Sequence, residues 1–159
     1  MLDKEGFRLN VGIVLINKNG MLFWGKRAKN NNAWQFPQGG VQNYETLEET
    51  MYRELTEEVG LRKNDVCILS KTNHWLYYRL PRHLRRNLQK PLCIGQKQKW
   101  FLLRLLSPDT NIRLDISSPP EFIDWRWVNY SLPLDQVIYF KKSIYQNVLS
   151  EFKQLIGPE

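Results

Sequence analysis

Between Val66 and Pro108 this 159-residue sequence contains no aspartate or glutamate. The stretch instead carries Lys71, Arg79, Arg82, Arg85, Arg86, Lys90, Lys97, Lys99 and Arg104, interleaved with Trp75, Tyr77, Tyr78, Trp100 and Phe101. Basic side chains attract phosphates whatever the sequence that bears them, and aromatic faces can stack bases. An ordinary basic surface over an aromatic core has the same composition, so both readings stand at this point. Cysteine is also scarce. Cys67 and Cys93 are isolated, without CxxC spacing or a neighbouring histidine, which excludes a disulfide framework and a cysteine-based zinc site. They are expected to be small buried hydrophobes in a reducing cytoplasm. No apolar run approaches the ~18 residues that span a bilayer, so no membrane association is expected. The opening MLDKEGFRLN has no apolar core of a secretory signal. Repeats and low-complexity linkers are absent, and the length suits one domain over residues 1–159.

The formal charge of +7 is the more informative because the acids that are present crowd into one place. GGVQNYETLEETMYRELTEEVGL, Gly39 to Leu61, reads as a glycine-rich loop feeding a short helix. Thr46 and Glu49 form a capping box at its start, and Gly60 marks its stop. Leu47, Met51, Leu55 and Val59 make one apolar stripe able to pack on a sheet. Glu54, Glu57 and Glu58 fall within a ~100° arc that borders this stripe instead of opposing it. Carboxylates spaced this way repel one another, and only Arg53 is at hand to relieve them. A doubly charged cation between them would explain the arrangement, and hard oxygen donors suit Mg²⁺ or Mn²⁺. A solvated acidic helix is the bland alternative.

Along the rest of the chain, Phe7 to Ile16 reads as a buried strand, Asn17 to Gly20 as a turn, and Met21 to Lys26 as its hairpin partner. Asn30 to Asn32 is a polar loop. WQFPQGG then enters the loop before the helix, where glycines let a backbone carbonyl approach a metal or phosphate. Strands are expected over Val66–Leu69, Asn73–Arg79, Lys99–Leu106 (central in the sheet) and Ile123–Val128, with Pro81–Pro91 a basic loop or short helix. Phe140, Ile144, Val148, Phe152 and Leu155 or Ile156 mark an amphipathic C-terminal helix. Two helices and roughly seven strands in mixed order predict a sheet covered by helices on both sides.

Gly39, Glu45, Arg53-Glu54-Leu55, Glu57-Glu58 and Gly60-Leu61 together match the signature of the Nudix hydrolases, nine positions over twenty-three residues. This resemblance implies an α/β fold, the α/β/α sandwich with a mixed central sheet, and metal-dependent hydrolysis of a nucleoside diphosphate linked to another group. FRLNVGIVL, WQFPQGGV, KPLCIGQKQKWFLLRL, PEFIDWRWV and FKKSIY extend the likeness over nearly the whole chain, to the bacterial RNA pyrophosphohydrolase branch of the family. That branch takes pyrophosphate from the 5′-triphosphate end of RNA and so exposes transcripts to decay. Related members cleave dinucleoside polyphosphates, which is the alternative substrate.

Residue by residue, the resemblance places metal ligation on Glu54, Glu57 and Glu58, with a carbonyl of Gly39 or Gly40 and with Glu121 reaching in from a loop. Glu54 is expected to be the general base ahead of Glu121, and Arg53 to fix the carboxylate rotamers. Arg27 matches a phosphate-binding position, and Arg8, Tyr78, Ile138, Phe140 and Lys141 match positions around the RNA end. Phe140 also falls on the apolar stripe of the C-terminal helix, where position alone favours core. The loop from Lys29 to Ala33 is one residue longer than the family's usual, and Ala33 stands where a hydroxyl is often found. The resemblance further implies 5′-triphosphorylated RNA as partner, an activating protein partner, no DNA, and a cytoplasmic location.

Overall fold

The run from Phe7 to Ile16 alternates apolar side chains towards both of its faces, so it is stable only where both faces are covered. In the computed structural model, which describes residues 1–29, 33–85 and 93–156, this run is strand β1 (Phe7–Ile16) at the middle of a mixed sheet. Among the described residues the one parallel pairing joins β1 to the long strand β7 (Gly95–Leu105), in register from Phe7 opposite Gly95 to Ile16 opposite Arg104. The far edge of β7 carries β5 (Val66–Lys71) and β6 (Leu76–Arg79), both antiparallel. On its other side β1 meets β4 (Gln38–Gly40). The next strand, β2 (Leu22–Arg27), is held by β3 (Trp34–Gln35) and β8 (Phe122–Val128).

Helices cover both faces, as the α/β/α reading requires. Helix α1 (Leu47–Val59) packs Met51, Leu55 and Val59 onto Val11, Ile13, Leu15, Phe101 and Leu103. Ile144, Val148 and Phe152 of α3 (Lys142–Ile156) pack with Val14, Ile16, Trp100 and Leu102 on the opposite face. A short helix α2 (Leu132–Gln136) precedes α3. The capping box forms as expected: Thr46 N donates to Glu49 Oε1 at 2.8 Å and Glu49 N to Thr46 Oγ1 at 3.1 Å. Gly60 closes α1 in the left-handed conformation, φ 78°.

Several expectations need correction. The turn after β1 forms, with Asn17 Oδ1 accepting from the backbone N–H of Asn19 and of Met21. Yet β1 and β2 pair only at Ile16 opposite Leu22, because β2 diverges to pair with β8 along its length. The sheet has eight strands, since β3 and β4, two and three residues long, are created by pairing with distant strands. Ile156, not Leu155, completes the apolar face of α3, and Phe140 lies outside that helix in a 3₁₀ turn, Tyr139–Lys141. Cys67 and Cys93 are partly exposed instead of buried. Of the basic segment, Arg82–Leu84 is a 3₁₀ turn, whereas Arg86 and Lys90, like the polar loop Asn30–Asn32, lie outside the described residues. Among the described residues no helix is long and apolar enough to cross a membrane.

Candidate active site

The geometry of α1 delivers its carboxylates to the end of the sheet. Because β4 pairs with β1, Gly39 is fixed opposite Val11, directly beneath the middle of α1. Glu54 fills the space a side chain at position 39 would occupy, so that a Cβ there would overlap its carboxylate. Glu54 and Glu58 are buried, while Glu57 keeps 45% of its side chain exposed. Glu58 Oε1 accepts from the backbone N–H of Gln38 at 3.3 Å.

Arg53 ties the group together from the side. Its Nε and Nη2 bond to both oxygens of Glu45, at 2.7 and 2.9 Å, and Nη2 also donates to the Gly40 carbonyl at 2.8 Å. Its Nη1 lies 3.4 Å from Glu54 and from Glu57. This two-pronged contact holds Glu45 down at about pKa 2, chiefly through the arginine hydrogen bonds. Across the site, Arg27 Nε pairs with Glu121 Oε2 at 3.2 Å, in the loop that leads into β8.

Burial pushes the Glu54 carboxyl up to about 7, against the pull of Arg53 and helped by Glu57, which shares a hydrogen bond with it. Glu58 is raised well above the carboxylate range, first by burial and then by Glu54 and Glu121. Crowded, buried carboxyls whose charges repel are the donor set that a divalent cation relieves, and hard oxygen ligands match Mg²⁺ and Mn²⁺. Among the described residues no three such groups converge on one point in ligating geometry. Arg53 contacts Glu54, the Gln38 N–H donates to Glu58, and Arg27 pairs with Glu121.

Beside the carboxylates opens a cavity of about 680 Å³. Its lining includes every residue the sequence likeness placed around substrate: Arg8, Arg27, Tyr78, Ile138, Phe140 and Lys141, along with Gly39, Gly40 and Glu121. Tyr78 and Phe140 stand with ring centroids 5.7 Å apart, so Phe140 belongs to this cavity and not to the stripe of α3. Lys141 is buried, donates to Gln35 at 3.1 Å, and is brought down to about 8, first by burial and next by Arg27. Ala33 lines the cavity without a hydroxyl.

The sequence reading missed an amide network. Gln98 Nε2 lies within hydrogen-bonding distance of Asn10 at 2.9 Å and Gln38 at 3.2 Å, and Trp100 Nε1 donates to Gln98 at 3.2 Å. Asn10, Gln38 and Gln96 all face the cavity. The available signal was a polar amide inside each of two otherwise buried strands, FRLNVGIVLI and GQKQKWFLLRL.

The contact of Gly39 with Glu54 sets a test. Gly39→Ala should fold and lose about tenfold or more in turnover, because the carboxylate is displaced by roughly an ångström. Steady-state kinetics beside a thermal melt measure both, and wild-type turnover would show that the contact is incidental.

The family model for the NUDIX domain matches residues 6–148. A curated protein from Pseudomonas aeruginosa (strain UCBPP-PA14), named RNA pyrophosphohydrolase, is 57% identical over 151 residues, 95% of this chain and 94% of its own. Another of the same name, from Shewanella sp. (strain MR-7), is 56% identical over 152 residues, 96% of this chain and 87% of its own. Among solved structures, the E. coli dihydroneopterin triphosphate pyrophosphohydrolase superposes with a TM-score of 0.72 at 16% identity, covering 91% of this chain and 98% of its own. The C. elegans Ap4A hydrolase binary complex gives 0.66 at 20% identity, covering 90% and 96%. These structural likenesses establish the fold.

Proposed function

Because the chain belongs to the Nudix hydrolase family, we propose that it removes pyrophosphate from the 5′-triphosphate end of RNA and so commits transcripts to decay. The observation that carries the substrate choice is the identity of 56–57% over nearly the full length with relatives named RNA pyrophosphohydrolase. The cavity supports it: cations at Arg8, Arg27 and Lys141 suit phosphates, and the facing rings of Tyr78 and Phe140 suit a base.

Glu54, Glu57, Glu58 and Glu121 would hold the metal, with a backbone carbonyl of Gly39 or Gly40 beside them. A divalent cation, Mg²⁺ or else Mn²⁺, would supply neutralisation of the polyphosphate and acidify water for in-line attack. Glu54 takes the proton of the attacking water as the new P–O bond forms, and the bridging oxygen leaves with pyrophosphate. Arg27 draws the terminal phosphates by charge-assisted hydrogen bonds and releases Glu121 towards the metal as it does so. Arg53 keeps Glu54 and Glu57 aimed. A cytoplasmic location, where transcripts are turned over, is part of the same reading.

Triphosphorylated RNA labelled at the γ-phosphate tests the reading. Labelled pyrophosphate should appear in Mg²⁺ and cease with EDTA. Release of orthophosphate alone, or a clear preference for diadenosine tetraphosphate at equal concentration, would overturn it.

A further inference from the structure

The cavity described above uses one face of β6 and β7, with Tyr78, Gln96 and Gln98 turned towards it. Alternation puts Tyr77, Arg79, Lys97 and Lys99 on the other face, the one α1 covers further along, where Phe101 packs with Met51 and Leu55. Here the helix has ended its reach and the strip is open. Tyr77 is 59% exposed and Trp75 37%. Tyr77 stands opposite Lys97 in the ladder, and the Lys99 ammonium lies 5.4 Å over the Trp75 ring. Arg79 lies 5.2 Å over Phe7, to which Tyr77 turns an edge at 5.4 Å. A second cavity of about 410 Å³ adjoins the strip and shares Lys99 with it, adding Lys71 and Asn73.

Exposed rings alternating with cations form the surface on which single-stranded nucleic acid lies, bases on rings and phosphates on ammonium groups. The surrounding charge favours that occupant. Asp3 and Glu5 share Lys97 at 2.6 and 2.9 Å and offset it, and Glu48 sits at the rim of the small cavity, so the cations open to phosphate are Arg79, Lys99 and Lys71. The strip lies on the reverse face of β6 and β7 from the catalytic cavity, and the two meet at the end of these strands. Arg8 and Leu80 line that cavity, and their chain neighbours Phe7 and Arg79 begin the strip. From Arg79 to Trp75 the strip runs about 13 Å along β6.

Resting on the proposed activity towards RNA ends, we infer that Trp75, Tyr77, Lys99 and Lys71 form a second RNA site that binds nucleotides downstream of the reacting end. The first nucleotides are held in the catalytic cavity, and the following single strand turns at Arg79 onto the aromatic strip.

The test compares two triphosphorylated RNAs of the same 5′ sequence, a trinucleotide and a single strand of about 20 nucleotides. Trp75→Ala/Tyr77→Ala should raise KM for the long RNA about tenfold, leave kcat unchanged, and leave both constants unchanged for the trinucleotide. Trp75→Phe/Tyr77→Phe, which keeps the rings, should restore the long-RNA KM. Equal losses on the two RNAs would make the strip structural, and no loss on either would overturn the proposal in favour of a protein-contact surface. A 5′-hydroxyl oligonucleotide of the same length, followed by fluorescence anisotropy, separates this inference from the activity it rests on. Weaker binding by the Ala variant, with no pyrophosphate released by the wild type, sinks the activity and keeps the strip. Pyrophosphate release with unchanged oligonucleotide binding sinks the strip.

Discussion

Glu54→Gln is expected to lower pyrophosphate release by about three orders of magnitude while the protein folds and, without metal, becomes more stable. The amide keeps the shape that fills the hollow at Gly39. It cannot take a proton from water, and it is a poor ligand for a hard cation. The stability gain follows from the raised pKa. In the folded protein the Glu54 carboxyl titrates at about 7, against an ordinary value of 4.5. Between those values the folded chain keeps a proton that the unfolded chain has lost. Stability therefore falls as pH rises from about 4.5 through about 7, and the penalty is complete above that. Glu58, raised by burial in the same way, adds to the fall. In EDTA at pH 8 the Gln variant should exceed the wild type by up to about 2 kcal/mol, and at pH 4 the two should converge. Adding Mg²⁺ or Mn²⁺ at pH 8 should stabilise the wild type far more than the variant, because the cation pairs with the ionised carboxylates. Thermal melts over pH with and without metal, beside single-turnover kinetics, read all of this. Near-normal turnover in saturating metal would remove Glu54 from the mechanism.

The legibility of α1 in the sequence has a physical basis: everything that specifies it is local. Its capping box spans four residues, its apolar stripe repeats every fourth, and its carboxylates fall on one arc by the helical period. Strand β1 and the apolar half of β7 were legible because their buried residues run almost unbroken, whereas Gly95 to Gln98, polar and partly exposed, extends β7 beyond the expected Lys99–Leu106. What escaped was set by partners far away in the chain. Gln38–Gly40 is a strand only because β1 receives it, and β2 pairs with β8 along its length while meeting its hairpin neighbour β1 at Leu22. The salt bridge between Arg27 and Glu121, and the hydrogen bond from Gln98 to Asn10, join residues more than eighty positions apart. No periodicity could announce those contacts, and Glu121 entered the candidate site through family likeness alone. Phe140 fits two patterns at once, the family's pocket position and the helical spacing, and it both lines the cavity and packs against the core. Its spacing fits the stripe of α3, yet the helix begins at Lys142 and the 3₁₀ turn before it aims the ring at Tyr78.

Arg53→Ala should produce the largest stability loss outside the hydrophobic core, about 3 kcal/mol at neutral pH, together with a roughly hundredfold fall in turnover. The guanidinium satisfies both oxygens of Glu45 and the carbonyl of Gly40, and it is the cation nearest Glu54 and Glu57. Removing it strands a largely buried Glu45 carboxylate and frees the loop that places Gly39 under Glu54. Acid distinguishes this account from a general loosening. Glu45 is held at about 2 in the folded protein, against an ordinary 4.5. Its contribution is thus fully present above about pH 4.5 and is lost as pH falls through about 2. The stability gap between wild type and Arg53→Ala should be level near neutrality and narrow steadily below pH 4.5. Arg53→Lys keeps the charge but not the two-pronged contact, so it should recover only part of the stability and less of the turnover. Urea titrations between pH 3 and 7 measure the gap. A gap independent of pH would mean that Arg53 stabilises by packing its methylenes, and that the position of Glu54 has another support.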